Sequence, residues 1–225
     1  MISLKSFKNV DELVDSLSEY LITSLKEKNR VLWLLSGGSN IKIEAKIMTK
    51  IPDNLTNKLI ISLFDERYGE YNHVDSNFHQ IKSANFNFKN STVIEVIENQ
   101  PESIDSMTQD YRQKIDSILT DENTFSIGQL GLGYDGHIAG ILPDSPILDS
   151  VQTVDSYESN PYDRISFTPV GLKHLDQIFV VVTDLQKNNI VNQIFIDDKT
   201  DEKKIPAKLL HRYNSVNIYN IKDKG

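Results

Sequence analysis

A histidine and an aspartate lie inside the most glycine-rich stretch of the chain. Asp135-Gly136-His137 falls among five glycines between Gly128 and Gly140, and His137 is the only one of five histidines with such surroundings. An imidazole titrates near neutral pH and can accept a proton from water, and a carboxylate two residues away could hold its ring in one tautomer. A surface histidine beside a turn aspartate would have the same sequence, but the glycine cluster favours a catalytic base.

A second loop has residue types that suit an anion. Ser36-Gly37-Gly38-Ser39 follows the apolar run Val31–Leu35 and precedes a helical pattern. Glycines allow backbone amides to turn toward an anion, the following helix adds its positive end, and the hydroxyls of Ser36 and Ser39 add donors. No Gly-Lys-Ser/Thr follows, so the loop is not a Walker loop. Phosphate binding and an ordinary tight turn are both open on this pattern alone.

Further charged residues follow other apolar runs. Asp65-Glu66-Arg67 comes directly after one, so Asp65 could position a hydroxyl or act as a base, and Arg67 could stabilise an oxyanion or hold phosphate. A solvated acidic turn is the alternative. Arg164 opens a predicted strand, and Lys187 lies in the first turn of a predicted helix. Each of these two cations could face an anion in a crevice or simply face solvent.

Two cofactor patterns are incomplete. His73, Asp75 and His79 invite a metal interpretation, but no third strong ligand lies nearby. Gly131 to Gly136 contains G-x-G-x-x-G, but Pro143 comes only seven residues later, too soon for the helix of a dinucleotide-binding unit. We therefore predict no metal and no cofactor.

The elements that must position these residues alternate between strands and helices. Short continuous apolar runs are typical of strands buried on both faces, and apolar residues three or four apart indicate helices. The predicted strands are Val31–Leu35, Leu59–Phe64, Thr92–Ile97, Phe125–Leu132, Arg164–Phe167, Ile178–Thr183 and Val216–Tyr219. The predicted helices are Asp11–Leu25, Ile41–Ile51, a Ser76-capped helix toward Ala84, 101–119 with Pro101 in its first turn, Leu185–Ile196 and Ala207–His211. We predict one α/β domain over residues 1–225, with a mostly parallel sheet and helices on both faces.

The composition excludes several classes of protein. Lys and Arg total 24 against 32 Asp and Glu, a net charge of −8 that argues against nucleic acid or an anionic membrane as partner. A small anionic ligand stays compatible, because a few local donors can reverse the local field. The absence of cysteine excludes disulfides and thiolate chemistry. No leader-like segment opens the chain and no apolar run reaches 18 residues, so we expect a soluble cytoplasmic protein.

Six segments, taken in order, resemble the 6-phosphogluconolactonase family. Each is a weak signal alone, but the order makes the resemblance specific, and it covers most of the chain. The segments are LSGGSN, DERYGEYNHVDSN from Asp65 to Asn77, GLGYDGHIAGILPDSP from Gly131 to Pro146, Arg164-Ile165-Ser166, VTDLQK ending at Lys187, and Ile205-Pro206-Ala207. The family fold is a Rossmann-like α/β domain shared with glucosamine-6-phosphate deaminases and ribose-5-phosphate isomerases.

The resemblance implies an activity and roles for the site residues. The reaction would be hydrolysis of 6-phospho-D-glucono-1,5-lactone to 6-phospho-D-gluconate in the oxidative pentose phosphate pathway, in a monomer or small homo-oligomer without a cofactor. His137 would be the general base, Asp135 its neighbour in the site, and Arg67 a contact for the lactone or its oxyanion. The residues expected around the phosphate are Gly37, Gly38, Ser39, Arg164 and Lys187.

The chain also departs from the family pattern. Asn40 and Ile41 stand where Thr-Pro is usual, and Gly140 and Leu142 replace a usual serine and phenylalanine. Asp184 replaces a glycine and would bring a negative charge near the expected phosphate.

Two alternatives stay open. Glucosamine-6-phosphate deaminases are similar around Asp135–Ala139, but typically read Asp-Glu-Tyr in place of Asp65–Arg67. They also carry a Phe-Asn-Glu-Pro glutamate that Gly140–Pro143 lacks. A non-catalytic sugar-phosphate sensor would share the fold, although no DNA-binding module is apparent before the first predicted strand.

Overall fold

A parallel sheet forms the centre of the molecule. The computed structural model describes residues 2–99, 103–195 and 201–221. Within them the parallel strands are β1 (Ile2–Phe7), β2 (Arg30–Leu35), β3 (Leu59–Leu63), β5 (Thr92–Val93), β6 (Thr124–Leu130), β9 (Gln177–Val182) and β10 (Val216–Ile221). Their order across the sheet is β1-β10-β9-β6-β2-β3-β5. The central strands are almost wholly buried, as their continuous apolar runs predict.

Helices cover both faces of this sheet. The three longest described helices are α1 (Val10–Glu27), α2 (Ile41–Lys50) and α5 (Ile104–Leu119). Tyr20 of α1 packs edge-on against Phe179, with ring centroids 4.9 Å apart, and both line a small cavity with Trp33. Ser62 is in register with the residue after Trp33 and so points to the opposite face. There its hydroxyl meets Tyr111 of α5, 2.8 Å away, which confirms the predicted two-sided arrangement.

A small antiparallel sheet lies beside the main one and was not predicted. Its strands are β4 (Asp65–Arg67), β8 (Arg164–Phe167) and β7 (Val154–Tyr157), in the order β4-β8-β7. Arg67 is in register with Arg164, and Asp65 with Ser166. The backbone N–H of Phe167 also donates to the carbonyl of Phe64, 2.8 Å away. This pairing brings two predicted site segments, distant in sequence, to one place.

Shorter helices complete the described chain. They are α3 (Asp53–Thr56), α4 (Asn77–Ser83), α6 (Pro169–Lys173) and α7 (Asn188–Phe195), with 3-10 turns at Gly38–Asn40, Pro146–Asp149, Leu185–Lys187 and Pro206–Arg212. The predicted cap of α4 is confirmed, because Ser76 Oγ accepts the backbone N–H of His79 at 3.1 Å. None of the helices in the described ranges is long and apolar enough to cross a membrane.

Several predicted bounds are wrong. The run Thr92–Ile97 is a strand only over Thr92–Val93: the N–H of Ile94 still donates to the carbonyl of Ile61, but its own carbonyl accepts from the Ser62 side chain, and the pairing with β3 ends there. Leu185–Ile196 divides into a 3-10 turn and α7, and the segment Ala207–His211 is a 3-10 helix. Strands β1, β4 and β7 and helices α3 and α6 are additional. Pro101 and Ile196 lie outside the described residues.

Candidate active site

A cleft of about 270 Å³ opens where the parallel strands β2 and β6 end. Loops after several strands meet there, which is where ligands bind in open parallel sheets. Every predicted site residue except Asp135 lines it, and Asp135 contacts the lining residue His137. The lining residues are Ser36, Gly37, Gly38, Ser39, Asp65, Arg67, Asn77, Gly131, Leu132, Gly133, Tyr134, His137, Ala139, Arg164 and Lys187.

The loop Ser36–Ser39 is shaped by close packing against α4. A Cβ on Gly37 would lie 2.2 Å from Oδ1 of Asn77, and Gly38 has a φ of +66°. Asn77 Nδ2 in turn donates to the carbonyl of Asp65, 2.9 Å away. Only glycine fits at Gly37, and Gly38 takes a backbone conformation that other residues adopt at a cost. The loop then enters a 3-10 turn that leads into α2.

A buried polar layer supports this loop from below. Glu44 Oε1 accepts the backbone N–H of Ser36 at 3.0 Å and its hydroxyl at 3.3 Å. Asn40 Nδ2 donates to Ser36 Oγ and to the carbonyl of Leu130, each at 3.3 Å, and so links β2 to β6. Glu44 is fully buried, and burial raises its pKa well above the ordinary 4.5. Burial thus favours the protonated form of Glu44, which places no negative charge beneath the loop.

The aspartate and histidine of the glycine cluster form a dyad. Asp135 Oδ1 lies 2.6 Å from Nδ1 of His137 and also accepts its backbone N–H at 3.1 Å. This hydrogen bond lowers the pKa of Asp135 to about 2, so the carboxylate is charged and can only accept. The proton therefore sits on Nδ1, and Nε2 carries the lone pair of a potential base. A Cβ on Gly133 would lie 2.1 Å from Nδ1, so glycine makes room for the ring.

Two arginines border the same cleft. Arg164 Nη1 donates to Oδ2 of the buried Asp65 at 3.0 Å, so Asp65 is part of an ion pair. Arg67 Nη1 donates to the carbonyl of Asp75 at 2.8 Å. Each guanidinium has five N–H donors, so both keep donors for an anion. The cleft thus collects positive charge although the whole chain is acidic.

Glu66, the other carboxylate of this segment, has a structural role. It is buried and accepts the backbone N–H groups of Arg67, Asn77 and Phe78 and the hydroxyl of Ser76, at 2.7–3.0 Å. Burial raises its pKa, and these four hydrogen bonds oppose the shift. Glu66 therefore ties β4 to the start of α4, and it does not line the cleft.

Lys187 reaches the cleft from the loop after β9. Its Nζ donates to the carbonyl of Leu132 at 2.6 Å and lies 4.8 Å from the ring centroid of Tyr134. Asp184 accepts the hydroxyl of Tyr134 at Oδ2 and the backbone N–H of Gln186 at Oδ1, the latter at 2.9 Å. The aspartate expected to bring charge near a phosphate is thus engaged by two donors.

Four residues of this region have sequence contexts that indicated no role in a site. Asn77 ends the quoted segment from Asp65, and Tyr134 lies inside the glycine cluster, but neither type pointed to chemistry by itself. Glu44 and Asn40 lie below the loop, and only the helical spacing of Ile41, Glu44 and Met48 hinted that the glutamate is buried.

The histidines of the incomplete metal pattern are engaged elsewhere. His73 Nε2 lies 2.9 Å from the carbonyl of Arg67, and its ring packs 5.2 Å from that of Tyr162. Across the ranges that the structure describes, no three His, Cys, Asp or Glu side chains are grouped to hold a metal ion.

Comparison with known proteins extends over nearly the whole chain. Residues 6–218 match the family model for glucosamine-6-phosphate isomerases/6-phosphogluconolactonase. A probable 6-phosphogluconolactonase 1 from Oryza sativa subsp. japonica is 30% identical over 234 residues, covering 92% of this chain and 78% of the rice protein. The match therefore includes every segment that lines the cleft.

Solved structures agree on the fold. A crystal structure of 6-phosphogluconolactonase from Thermotoga maritima superimposes with a TM-score of 0.80 at 24% identity, covering 99% of both chains. A monomeric glucosamine-6-phosphate deaminase superimposes with a TM-score of 0.79 at 16% identity, covering 98% of this chain and 97% of that one. Because a lactonase and a deaminase both superimpose on this backbone, the fold alone does not distinguish between these two activities. The side chains of the cleft are needed for that distinction.

Proposed function

The chain belongs to the glucosamine-6-phosphate isomerase/6-phosphogluconolactonase family, and we propose that it hydrolyses 6-phospho-D-glucono-1,5-lactone to 6-phospho-D-gluconate. This is the lactone-opening step of the oxidative pentose phosphate pathway. One observation carries the proposal: an aspartate-paired His137, two arginines and a glycine loop suited to phosphate share one cleft. A δ-lactone is an activated ester, so a base for water and a donor for the oxyanion are sufficient.

His137 is the base in this proposal. Its Nε2 takes a proton from water, whose oxygen attacks the lactone carbonyl to give a tetrahedral oxyanion. Asp135 stabilises the imidazolium that forms, since its carboxylate stays charged beside Nδ1. When the oxyanion collapses, the bond to the ring oxygen breaks and the imidazolium returns its proton to that oxygen. The acyclic phosphogluconate then leaves.

Cations and amides of the cleft contact the phosphate of the substrate and the oxyanion that forms at its carbonyl. Arg67 stabilises the oxyanion, whereas Arg164, oriented by its ion pair with Asp65, contacts the phosphate end. The phosphate lies against the loop Ser36–Ser39 and the ammonium of Lys187, both at the same cleft. Phosphate binding then fixes the carbonyl relative to the water, so a remote group contributes to turnover.

A timed assay of lactone opening, corrected for spontaneous hydrolysis, tests the proposal. His137→Ala should lower kcat by about 10²–10⁴-fold, the usual contribution of a general base. His174→Ala is the matched control, because His174 is exposed and does not line the cleft. Near-complete activity in purified His137→Ala would refute the base assignment.

Lys187 makes a different kinetic prediction. Lys187→Ala should raise KM more than it lowers kcat, as expected of a group that binds substrate and transition state equally. The opposite pattern would place Lys187 among the groups that act on the reacting carbonyl.

The same preparation separates the alternatives. Ammonia release from glucosamine 6-phosphate, without lactone hydrolysis, would identify a deaminase. A rise in melting temperature with sugar phosphates but no turnover of either substrate would identify a sensor.

A further inference from the structure

Tyr134 connects the two loops that carry the proposed base and the proposed phosphate cation. It stands at the rim of the cleft with 59% of its surface exposed. The face of its ring lies 4.8 Å from Nζ of Lys187, and its hydroxyl donates to Oδ2 of Asp184. A side chain this exposed contributes little to the core, so its contacts need another explanation.

The partners of Tyr134 are themselves held in place. Asp184 Oδ1 accepts the backbone N–H of Gln186 at 2.9 Å, and the Asp184 carbonyl accepts the backbone N–H of Lys187 at 3.1 Å. The ammonium of Lys187 donates to the carbonyl of Leu132, two residues before Tyr134, at 2.6 Å. These contacts join the glycine loop to the loop after β9 at two points, through Asp184 and through Lys187.

We propose that Tyr134 and Asp184 are positioning residues that hold the ammonium of Lys187 at the phosphate end of the cleft. A lysine has a long flexible stem and loses rotamer freedom when it binds an anion. The ring of Tyr134 and the Leu132 carbonyl restrict that stem before the anion arrives, and Asp184 anchors the ring. The inference deepens the proposed function and rests on it for the identity of the anion.

The charge on Asp184 fits this arrangement. The hydrogen bond from Tyr134 lowers the pKa of Asp184 and raises the pKa of Tyr134, so the aspartate stays ionised and the phenol protonated at neutral pH. The carboxylate thus accepts two hydrogen bonds while the phenol acts as donor. A glycine at this position could not anchor the ring, which gives the departure at Asp184 a function.

Tyr134→Phe is the decisive variant, since it keeps the ring and removes only the hydroxyl. The affinity for 6-phosphogluconate and for inorganic phosphate, measured by calorimetry, should fall about two- to tenfold. KM for the lactone should rise by a similar factor, with kcat changed less than about twofold. A purely structural role would lower the melting temperature without this split between KM and kcat.

Tyr71→Phe is the matched control. Tyr71 is also exposed, its hydroxyl donates to Glu95 at 3.4 Å, and Lys82 lies 5.4 Å from its ring centroid. This second group, which also joins a tyrosine, a lysine and an acidic residue, does not line the cleft. Removing its hydroxyl should leave affinity, KM and kcat unchanged.

A double-mutant cycle tests the connection to Lys187. If Tyr134 acts through Lys187, Tyr134→Phe should have no further effect on affinity in a Lys187→Met background. Unchanged phosphate affinity in Tyr134→Phe, or an equal loss in both backgrounds, would overturn the inference. The affinity measurement does not depend on turnover. An inactive wild type would therefore refute the proposed function, whereas the effect of Tyr134→Phe on phosphate affinity would still test the inference about Lys187.

Discussion

Replacing Glu44 by glutamine should stabilise the protein at neutral pH and remove a pH dependence. The carboxyl is fully buried, Oε1 accepts two hydrogen bonds from Ser36, and Oε2 has no hydrogen-bond partner among the described residues. Glutamine has nearly the same shape and keeps an oxygen for Ser36. What it removes is the proton that Glu44 must take up on folding, because burial raises its pKa from 4.5.

The size of the effect follows from proton linkage. Between 4.5 and the native pKa of Glu44, the native state binds more protons than the unfolded state, so stability falls as pH rises. The loss is about 1.4 kcal/mol for each pH unit in that window and nothing below it. At pH 7, which is 2.5 units above 4.5, its ceiling is therefore about 3.5 kcal/mol. For a chain of this length, each kcal/mol shifts the melting temperature by about 2–4 °C.

Urea denaturation of the wild type and of Glu44→Gln between pH 5 and pH 8 measures this difference. The advantage of the variant should grow with pH and level off above the native pKa. A difference that stays constant over that range would show that Glu44 takes up no proton on folding. The explanation of how an acidic chain avoids a negative charge beneath the loop Ser36–Ser39 would then be wrong.

Glu66→Gln provides the matched contrast. Glu66 is equally buried, but both of its oxygens accept hydrogen bonds, from three backbone N–H groups and a hydroxyl. An amide NH₂ cannot accept, so the variant leaves two donors unpaired and should lose about 2–5 kcal/mol at neutral pH. Burial alone therefore does not decide the sign of the effect; the partners of the two oxygens do.

Three further substitutions test the loop that carries the dyad. Asp135→Asn should lower kcat about tenfold or more, because the amide no longer fixes the proton on Nδ1 of His137. The pKa of Asp135 is about 2, so its contribution to stability is lost as pH falls from 3.8 toward that value, and the difference in urea stability between wild type and variant should shrink from pH 5 to pH 3. Gly133→Ala should lower kcat with little change in KM for the lactone, because a Cβ 2.1 Å from Nδ1 displaces the ring. Ala139→Gly should raise stability to urea by about 0.5–1 kcal/mol, because Ala139 has a φ of +50°. Unchanged kinetics in the first two, or a loss of stability in the third, would contradict the geometry.

The main sheet was predictable because its central strands are continuous apolar runs, such as Val31–Leu35. Strand β1 escaped because it is an edge strand with exposed Leu4 and Lys5, so it lacks that signal. The small sheet escaped for another reason: β4 is Asp65–Arg67, whose local sequence is that of a charged turn. Only its pairing with β8, a hundred residues away, makes it a strand.

The residues of the site also differ in whether their role could be predicted from local sequence. His137, Arg67 and Lys187 were found because residues that follow buried strands gather at one sheet edge, whatever the details of packing. Glu44 and Tyr134 were not found, because what they do depends on a partner from another segment. A helical glutamate usually faces solvent, and here burial beneath a glycine loop gives it a different role.

Two glycines of the site are needed for a physical reason that the sequence pattern did not reveal. The sequence pattern assigns Gly37 to backbone that turns toward an anion, and it treats the glycines near His137 only as surroundings that favour a catalytic base. In the structure, Gly37 and Gly133 also leave space for side chains, since an added Cβ would meet Asn77 at 2.2 Å and His137 at 2.1 Å. Glycine at Gly133 is thus required by the imidazole itself, independent of any phosphate. The same loop can carry a base only if its backbone yields that space, which is why the dyad and the glycine cluster occur together.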